Sequence, residues 1–223
     1  MQERVKKPQF DVVGTRPVRP DGVDKVTGRA KYGADLKMAG QLVGKVLRSP
    51  HAHARIKSID VSKALSMPGV KAIVTRDDFA DQASEFVPAG EMLINYRDVV
   101  RNILAREKVL YEGHAIAAVA AISEKAAIAA LDAIKVDYEV LPHVIDEIEA
   151  MKADAPLLQE DMITQGVTPA PTKASNVAKR VEFTLGDTAK GFAEADVIIE
   201  REFKTKAVHQ GYIEPHACLA SVS

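Results

Sequence analysis

Tryptophan is absent from this chain and cysteine occurs once, at Cys218. A single thiol excludes an internal disulfide framework and cannot by itself build a thiolate metal centre. With no Trp and 5% aromatic residues, the chain offers no stacking platform for single-stranded nucleic acid. An excess of one charge is also missing: 30 Lys and Arg stand against 31 Asp and Glu. No basic field therefore points to nucleic acid or to an anionic membrane. No apolar run approaches the roughly 20 residues of a spanning helix, and the amino terminus, MQERVKKPQFDVV, lacks the apolar stretch of a secretory signal. Phosphate loops, a Gly-x-Gly-x-x-Gly fingerprint and a nucleophile elbow are absent too. Gly28, Gly33 and Gly40 stand too far apart to cradle a phosphate. What remains is a globular chain suited to the cytoplasm, whose 223 residues have room for one large domain or two small ones.

Residues 1–22 are polar and carry Pro8, Pro17 and Pro20, which predicts an extended arm. Gln41 to Arg48 reads as a strand ended by Pro50, and Ala54 to Asp60 as a returning strand. Ser62 to Gly69 reads as a helical turn with Ser62 as its N-cap. Val70 to Thr75 is expected as a short buried strand. Residues 80–106 are less periodic and richer in charge, which predicts a long surface excursion with Arg97, Arg101 and Arg106 solvated. Lys108 to Tyr111 and Ala115 to Ile122 read as strands around the turn Glu112-Gly113. Ser123 caps the clearest helix, Glu124 to Lys135, in which Ala127, Leu131 and Ile134 share a face. Val136 to Leu141 alternates cleanly as a half-buried strand.

Past His143 the character changes. Pro156, Pro169 and Pro171 among small and polar residues predict a connector. A new module then follows: a strand near Val177 to Leu185, a turn at Gly186-Asp187, a short helix Ala189 to Ala195 and a strong strand Val197 to Thr205. The apolar run Ala217 to Val222 is expected as a strand begun with nothing after it to pair with, so the chain reads as incomplete on its own.

Two clusters invite chemistry. His51 and His53 would project to one side of an extended segment and offer a two-ligand edge, but a metal needs a third ligand and none lies nearby. The competing reading is a turn whose histidines hydrogen-bond neighbouring loops, and the residues favour it. On a strand, Glu214 and His216 would share a face close to His209, although Glu214 could equally bond backbone amides. Cys218, within Ala-Cys-Leu-Ala, is expected as a buried small hydrophobe. On residues alone there is no catalytic, cofactor-binding or metal-binding constellation to name.

The segments Gly22-Val-Asp-Lys-Val-Thr-Gly28, Ala30-Lys-Tyr32 and Leu47-Arg-Ser-Pro-His-Ala-His-Ala-Arg-Ile56, followed by Pro68-Gly-Val70, resemble the start of the large subunit of the xanthine dehydrogenase/aldehyde oxidase family of molybdenum hydroxylases. Lys108-Val-Leu-Tyr-Glu-Gly113 and Lys135-Val-Asp-Tyr-Glu-Val-Leu-Pro142 are similar to the same family further on. Phe192-Ala-Glu-Ala-Asp196 and His209…Glu214-Pro-His216 resemble the entry into its first cofactor-binding domain. The likeness runs from about residue 13 to the end, and is nearer to three-subunit bacterial members of the 4-hydroxybenzoyl-CoA reductase kind than to the fused animal enzymes.

The resemblance implies an α+β fold: an arm (1–22), an a/b hammerhead domain of mixed sheet and packed helices (23–143), a linker (144–175) and the incomplete start of a molybdenum-cofactor-binding α/β domain (176–223). It implies molybdopterin cytosine dinucleotide held mainly by sequence beyond this chain. Iron–sulfur and FAD subunits are expected as partners, beside the remaining molybdenum-binding polypeptide. The implied reaction is hydroxylation of N-heterocycles, aldehydes or aromatic acyl-CoA. The family's glutamine segment, Gly-Gly-Phe-Gly loop and catalytic glutamate have no counterpart here, so no site residue transfers and the chain is expected to be inactive alone. The competing expectation is a non-catalytic scaffold with a hammerhead fold.

Overall fold

The computed structural model describes residues 10–222, so the first nine residues of the expected arm and Ser223 lie outside it. The chain divides into two compact units, Met1–Gly40 with Arg201–Ser223, and Gln41–Glu200. In the first unit the described part of the expected arm holds turns, and a short helix, α1 (Gly22–Val26), starts at its last residue, followed by a 3-10 turn at Gly33–Asp35. Asp21 takes ion pairs from Arg19 at 2.5 Å and Lys25 at 2.8 Å. These hold its carboxyl well below the usual range, the hydrogen bond from Arg19 first among the causes.

The larger unit is organised by two three-stranded sheets. The first has the order β1 (Val43–Arg48), β7 (Ala115–Ala121), β3 (Val70–Thr75). The second has the order β6 (Lys108–Val109), β2 (Ala54–Asp60), β8 (Lys135–Val140). A hairpin of β4 (Phe86–Ala89) and β5 (Met92–Asn95) stands apart from both. Every pairing between these strands is antiparallel. The α+β class therefore holds, while the expected mixed sheet gives way to antiparallel ladders.

β7 is the buried centre of its sheet, and its sequence Ala-Ile-Ala-Ala-Val-Ala-Ala explains what lies on it. Small side chains let α4 (Glu124–Ala133) approach closely, so that Ala127 and Ala130 pack with Ala117, Val119 and Ala121 in one core. Ile134, just past the helix, joins the same core and Leu131 packs against it. Ser123 caps the helix as expected: its hydroxyl accepts from the Ala126 N–H at 3.2 Å. α2 (Ser62–Leu65) supplies Ala64 to this core. A second core, Ala54, Ile56, Ala105, Val109 and Ile116, lies under the other sheet.

Several expectations are corrected. Ser62 is the first helical residue and makes no cap; its N–H and hydroxyl both donate to Asp60, at 3.0 and 2.6 Å. β3 is half-buried rather than buried, because it is an edge strand. β6 and β7 do not form a hairpin: the turn at Glu112-Gly113 sends them to different sheets. Residues 80–106 contain the β4–β5 hairpin and an eight-residue helix, α3 (Tyr96–Ile103), capped by the Asn95 side chain accepting from the Arg97 N–H. Irregular periodicity hid them because both elements are short and one-sided.

After β8 come a four-residue helix, α5 (Glu147–Ala150), and α6 (Thr188–Glu194), the latter where a helix was expected. The strands expected over Val177–Leu185, Val197–Thr205 and Ala217–Val222 do not form; a single bridge, Gln165 to Lys179, is all that joins the first of them to a neighbour. A strand pattern needs a paired neighbour to become a strand, and among the described residues none is offered. In consequence Phe183 is 93% exposed, Leu185 95% and Phe203 88%. Cys218 is exposed rather than buried.

Candidate functional site

The turn between β1 and β2 carries the paired histidines. Ser49 is pinned from both sides, its N–H donating to the His114 carbonyl at 2.9 Å and its carbonyl accepting from Gly113 at 2.8 Å. Its hydroxyl accepts from the His51 N–H at 3.0 Å. The His51 ring meets Tyr138 edge-on at 4.9 Å. Burial raises the Tyr138 phenol, against a hydrogen bond with Ser49 that lowers it. His53 is buried, and its Nδ1 stands 2.7 Å from the Pro142 carbonyl. A carbonyl only accepts, so Nδ1 carries the proton. Nε2 is buried and without a hydrogen-bond partner. His53 thus hydrogen-bonds the loop after β8, as the turn reading expects, whereas the His51 ring contacts Tyr138 instead. Among the described residues no group of three or more His, Cys, Asp or Glu could hold a metal ion.

His209 and His216 are linked through the ring of Tyr212. Tyr212 sits between them, ring centroids 4.8 Å from His209 and 4.7 Å from His216. Its hydroxyl lies 3.2 Å from His216 Nδ1, and His209 Nδ1 accepts from the Gly211 N–H at 3.0 Å. Glu214 is exposed. The segment is not a strand, so Glu214 and His216 have no common strand face. Spacings of three and four between the rings were the signal for a stack.

His114, at the β6–β7 turn, is the most buried histidine, with no exposed surface. Nδ1 accepts from the Leu110 N–H at 3.2 Å, and Nε2 donates to the Arg101 carbonyl at 3.0 Å. Tyr111 stacks on the ring at 4.5 Å and donates its hydroxyl to Asn102 at 3.0 Å. Burial lowers the imidazole pKa, against backbone hydrogen bonds that raise it. The pair therefore holds the last turn of α3, where carbonyls have no helical partner.

The arginines expected in solvent form a cluster instead. Arg97 is 17% exposed in its side chain and bonds Asp161 at 2.7 Å. Arg106 donates to the Phe79 carbonyl at 2.9 Å and lies 3.5 Å from Asp81. Arg76 and Arg106 donate to each other's carbonyl oxygens. Lys108, 10% exposed, bonds Glu160 at 2.7 Å, and this hydrogen bond holds the Glu160 carboxyl below its usual range. Arg97 and Lys108 together tie the connector at 160–161 to α3 and β6. The sequence signal was the acidic pair Glu160-Asp161, matched to Lys108, 52 residues earlier, and to Arg97, 64 residues earlier.

Between α3, the β4–β5 hairpin and the connector runs a cleft of about 970 Å³, walled by Phe86, Ile94, Val99, Leu110, Met162 and Ile163. A charged recess of about 290 Å³, with Arg55, Arg101, Arg106 and Lys108 among its walls, adjoins it. Arg101, Leu110, Gln159 and Asp161 belong to both.

Residues 27–142 match the family model described as aldehyde oxidase and xanthine dehydrogenase, a/b hammerhead domain, and residues 169–223 match a molybdopterin cofactor-binding domain. The carbon monoxide dehydrogenase large chain of Afipia carboxidovorans is 36% identical over 225 residues, covering 99% of this chain and 26% of that protein. The xanthine dehydrogenase molybdenum-binding subunit of Escherichia coli is 30% identical over 206 residues, 91% of this chain and 25% of that one. Among solved structures, the reconstituted CO dehydrogenase from Oligotropha carboxidovorans superposes with a TM-score of 0.64 at 34% identity, over 82% of this chain and 22% of that chain. The chain thus spans about a quarter of the length of these relatives. With an α+β fold and the hammerhead model matched over more than half its residues, the chain belongs to the aldehyde oxidase and xanthine dehydrogenase family.

Proposed function

We propose that this chain is the N-terminal segment, or a separately encoded subunit, of a molybdenum-dependent hydroxylase or dehydrogenase that works only with the rest of its large subunit. Residues 23–143 serve as the hammerhead domain, 144–175 as a linker, and 176–223 begin the cofactor domain. The observation that carries this reading is the state of that last stretch. It matches a molybdopterin cofactor-binding domain over residues 169–223, yet leaves Phe183, Leu185 and Phe203 almost wholly exposed. Large apolar side chains in such numbers mark a surface that further polypeptide covers.

The residues present do not make a seat for the cofactor. The hollow beside α6 is lined by Thr188, Gly191, Phe192, Ala195 and Val197 to Ile199, with no cation to hold a pyrophosphate. No catalytic, cofactor-binding or metal-binding role is therefore assigned to any residue here, and no chemical step is routed through this chain. In the assembled enzyme the cofactor would be the molybdopterin cytosine dinucleotide form, with electrons leaving through iron–sulfur and FAD partners in the cytoplasm. The substrate class is N-heterocycles, aldehydes or aromatic acyl-CoA. Among the described residues no helix is long and apolar enough to cross a membrane, in keeping with that assembly.

Co-expression with the polypeptide encoded by the following reading frame tests this. The isolated chain is expected to carry no molybdenum and to reduce no dye, and the complex to do both. Stoichiometric molybdenum on the isolated chain overturns the reading.

A further inference from the structure

We infer that residues 181–185 are an open strand edge that takes up an extended segment from the rest of the large subunit. The two pair backbone to backbone, while Val181, Phe183 and Leu185 sink into a shared core. This rests on the assembly proposed above and adds the place and the mode of contact.

The sequence here alternates. On an extended chain Lys179, Val181, Phe183 and Leu185 fall on one side, and Arg180, Glu182 and Thr184 on the other. The charged side chains of the second row already meet each other, Arg180 to Glu182 at 3.2 Å. The apolar row has no cover: Val181 is 59% exposed, Phe183 93% and Leu185 95%. Pairing has begun at one end. The Gln165 N–H donates to the Ala178 carbonyl at 3.0 Å, and the Gln165 carbonyl accepts from the Arg180 N–H at 2.9 Å, a parallel bridge centred on Lys179. It stops there because Gly166 lies at φ +76, which no strand adopts. Among the described residues, 181–185 make no backbone hydrogen bond.

That bridge fixes which edge is open. In a strand the N–H and C=O of one residue point to the same edge, and successive residues alternate between the two edges. Ala178 and Arg180 face Gln165, so Lys179, Val181 and Phe183 face the opposite edge. Strand addition recognises such an edge, the main chain supplying affinity and the alternate side chains specificity. A small molecule offers no ladder of donors and acceptors to match it. The occupant belongs to the same large subunit. Residues 169–223 match one molybdopterin cofactor-binding domain, and the relatives hold this stretch in chains of which the present one spans about a quarter. A domain buries its apolar strands in its own core.

The test measures binding of the full chain to the purified polypeptide encoded by the following reading frame, with wild type, F183D, V181P and E182P compared. F183D is expected to weaken binding roughly ten- to a hundred-fold, the range for burial of one large apolar side chain. V181P removes an N–H from the open edge and should weaken binding about ten-fold. E182P removes one from the edge that stays unpaired, where proline is tolerated, and should weaken it less than V181P. The free chain gives these side chains little to pack against, so all three variants should unfold in urea close to the wild-type midpoint. Hydrogen exchange in the wild-type complex should slow at Val181 and Phe183 more than at Glu182 and Thr184. If wild type does not bind, the assembly itself is refuted. If wild type binds and F183D binds equally well, or V181P binds no more weakly than E182P, the assembly stands and the strand edge is refuted. Protection of 181–185 in the chain alone, through pairing with a second copy, refutes the assigned occupant.

Discussion

His114 makes stability depend on pH in a direction the structure fixes. The ring is fully buried, accepts at Nδ1 from Leu110 and donates at Nε2 to Arg101. A second proton can enter only at Nδ1. It would destroy the bond from Leu110 and leave a cation in the core, which is why burial lowers the pKa. A histidine with a lowered folded pKa binds fewer protons folded than unfolded. Its contribution is therefore complete above the unfolded pKa of about 6.5 and is lost as pH falls below that value. Between pH 7.5 and 5.5 the loss is at most about 1.4 kcal/mol, the full titration of one unfolded imidazole over that window.

Urea denaturation of wild type and H114Q at both pH values isolates the effect, because the other histidines are common to the two proteins. Glutamine keeps a donor and an acceptor but does not titrate, so H114Q should be less stable at pH 7.5 and show the smaller loss on acidification. H114A removes both hydrogen bonds and the ring, costing about 3 kcal/mol. Equal pH dependence in wild type and H114Q would refute the assigned neutral tautomer.

Other expectations follow from local geometry. Gly69 has φ +86, and a Cβ there would meet Ile122 Cγ1 at 2.9 Å, whereas Gly113 at φ +87 has open space around it. G69A should thus cost about 2 kcal/mol and G113A about 1, measured by the same denaturation. E160Q leaves the Lys108 cation, 10% exposed, without its counter-charge; the expected cost is about 1 kcal/mol, kept low because Glu160 is well solvated. Since Lys108 holds the Glu160 carboxyl low, that contribution is present above the unfolded carboxylate pKa and fades as pH falls through the folded one. Acid titration should therefore separate wild type from E160Q least at the lowest pH.

The hammerhead half was legible because its elements carry strong local signals. Ser123 marked the start of α4, the alanines of β7 marked a buried strand, and Pro50 marked the end of the segment that became β1. α3 was hidden by its surroundings, a charged stretch of Arg97, Asp98 and Arg101 that reads as solvated loop, whereas the shorter α6 stands after a Gly186-Asp187 turn that marks its start. The arginines are less solvated than local charge suggests because their partners lie far along the chain: Arg97 meets Asp161, 64 residues on, and Arg106 meets the Phe79 carbonyl and Asp81. Beyond 176 the alternation of Val197, Ile199 and Phe203 announced a strand correctly in chemistry but not in outcome, for pairing depends on a neighbour that the pattern does not name. Tyr212 links His209 and His216 through ring contacts, which a reading of charge and metal-ligand spacing does not register.

In the assembly proposed above, this chain becomes functional only within a larger molybdenum enzyme. Metal analysis of the chain purified alone and with the polypeptide encoded downstream tests it most directly. No molybdenum is expected on the isolated chain, and stoichiometric molybdenum on the complex. Molybdenum bound equally by the chain alone would contradict it.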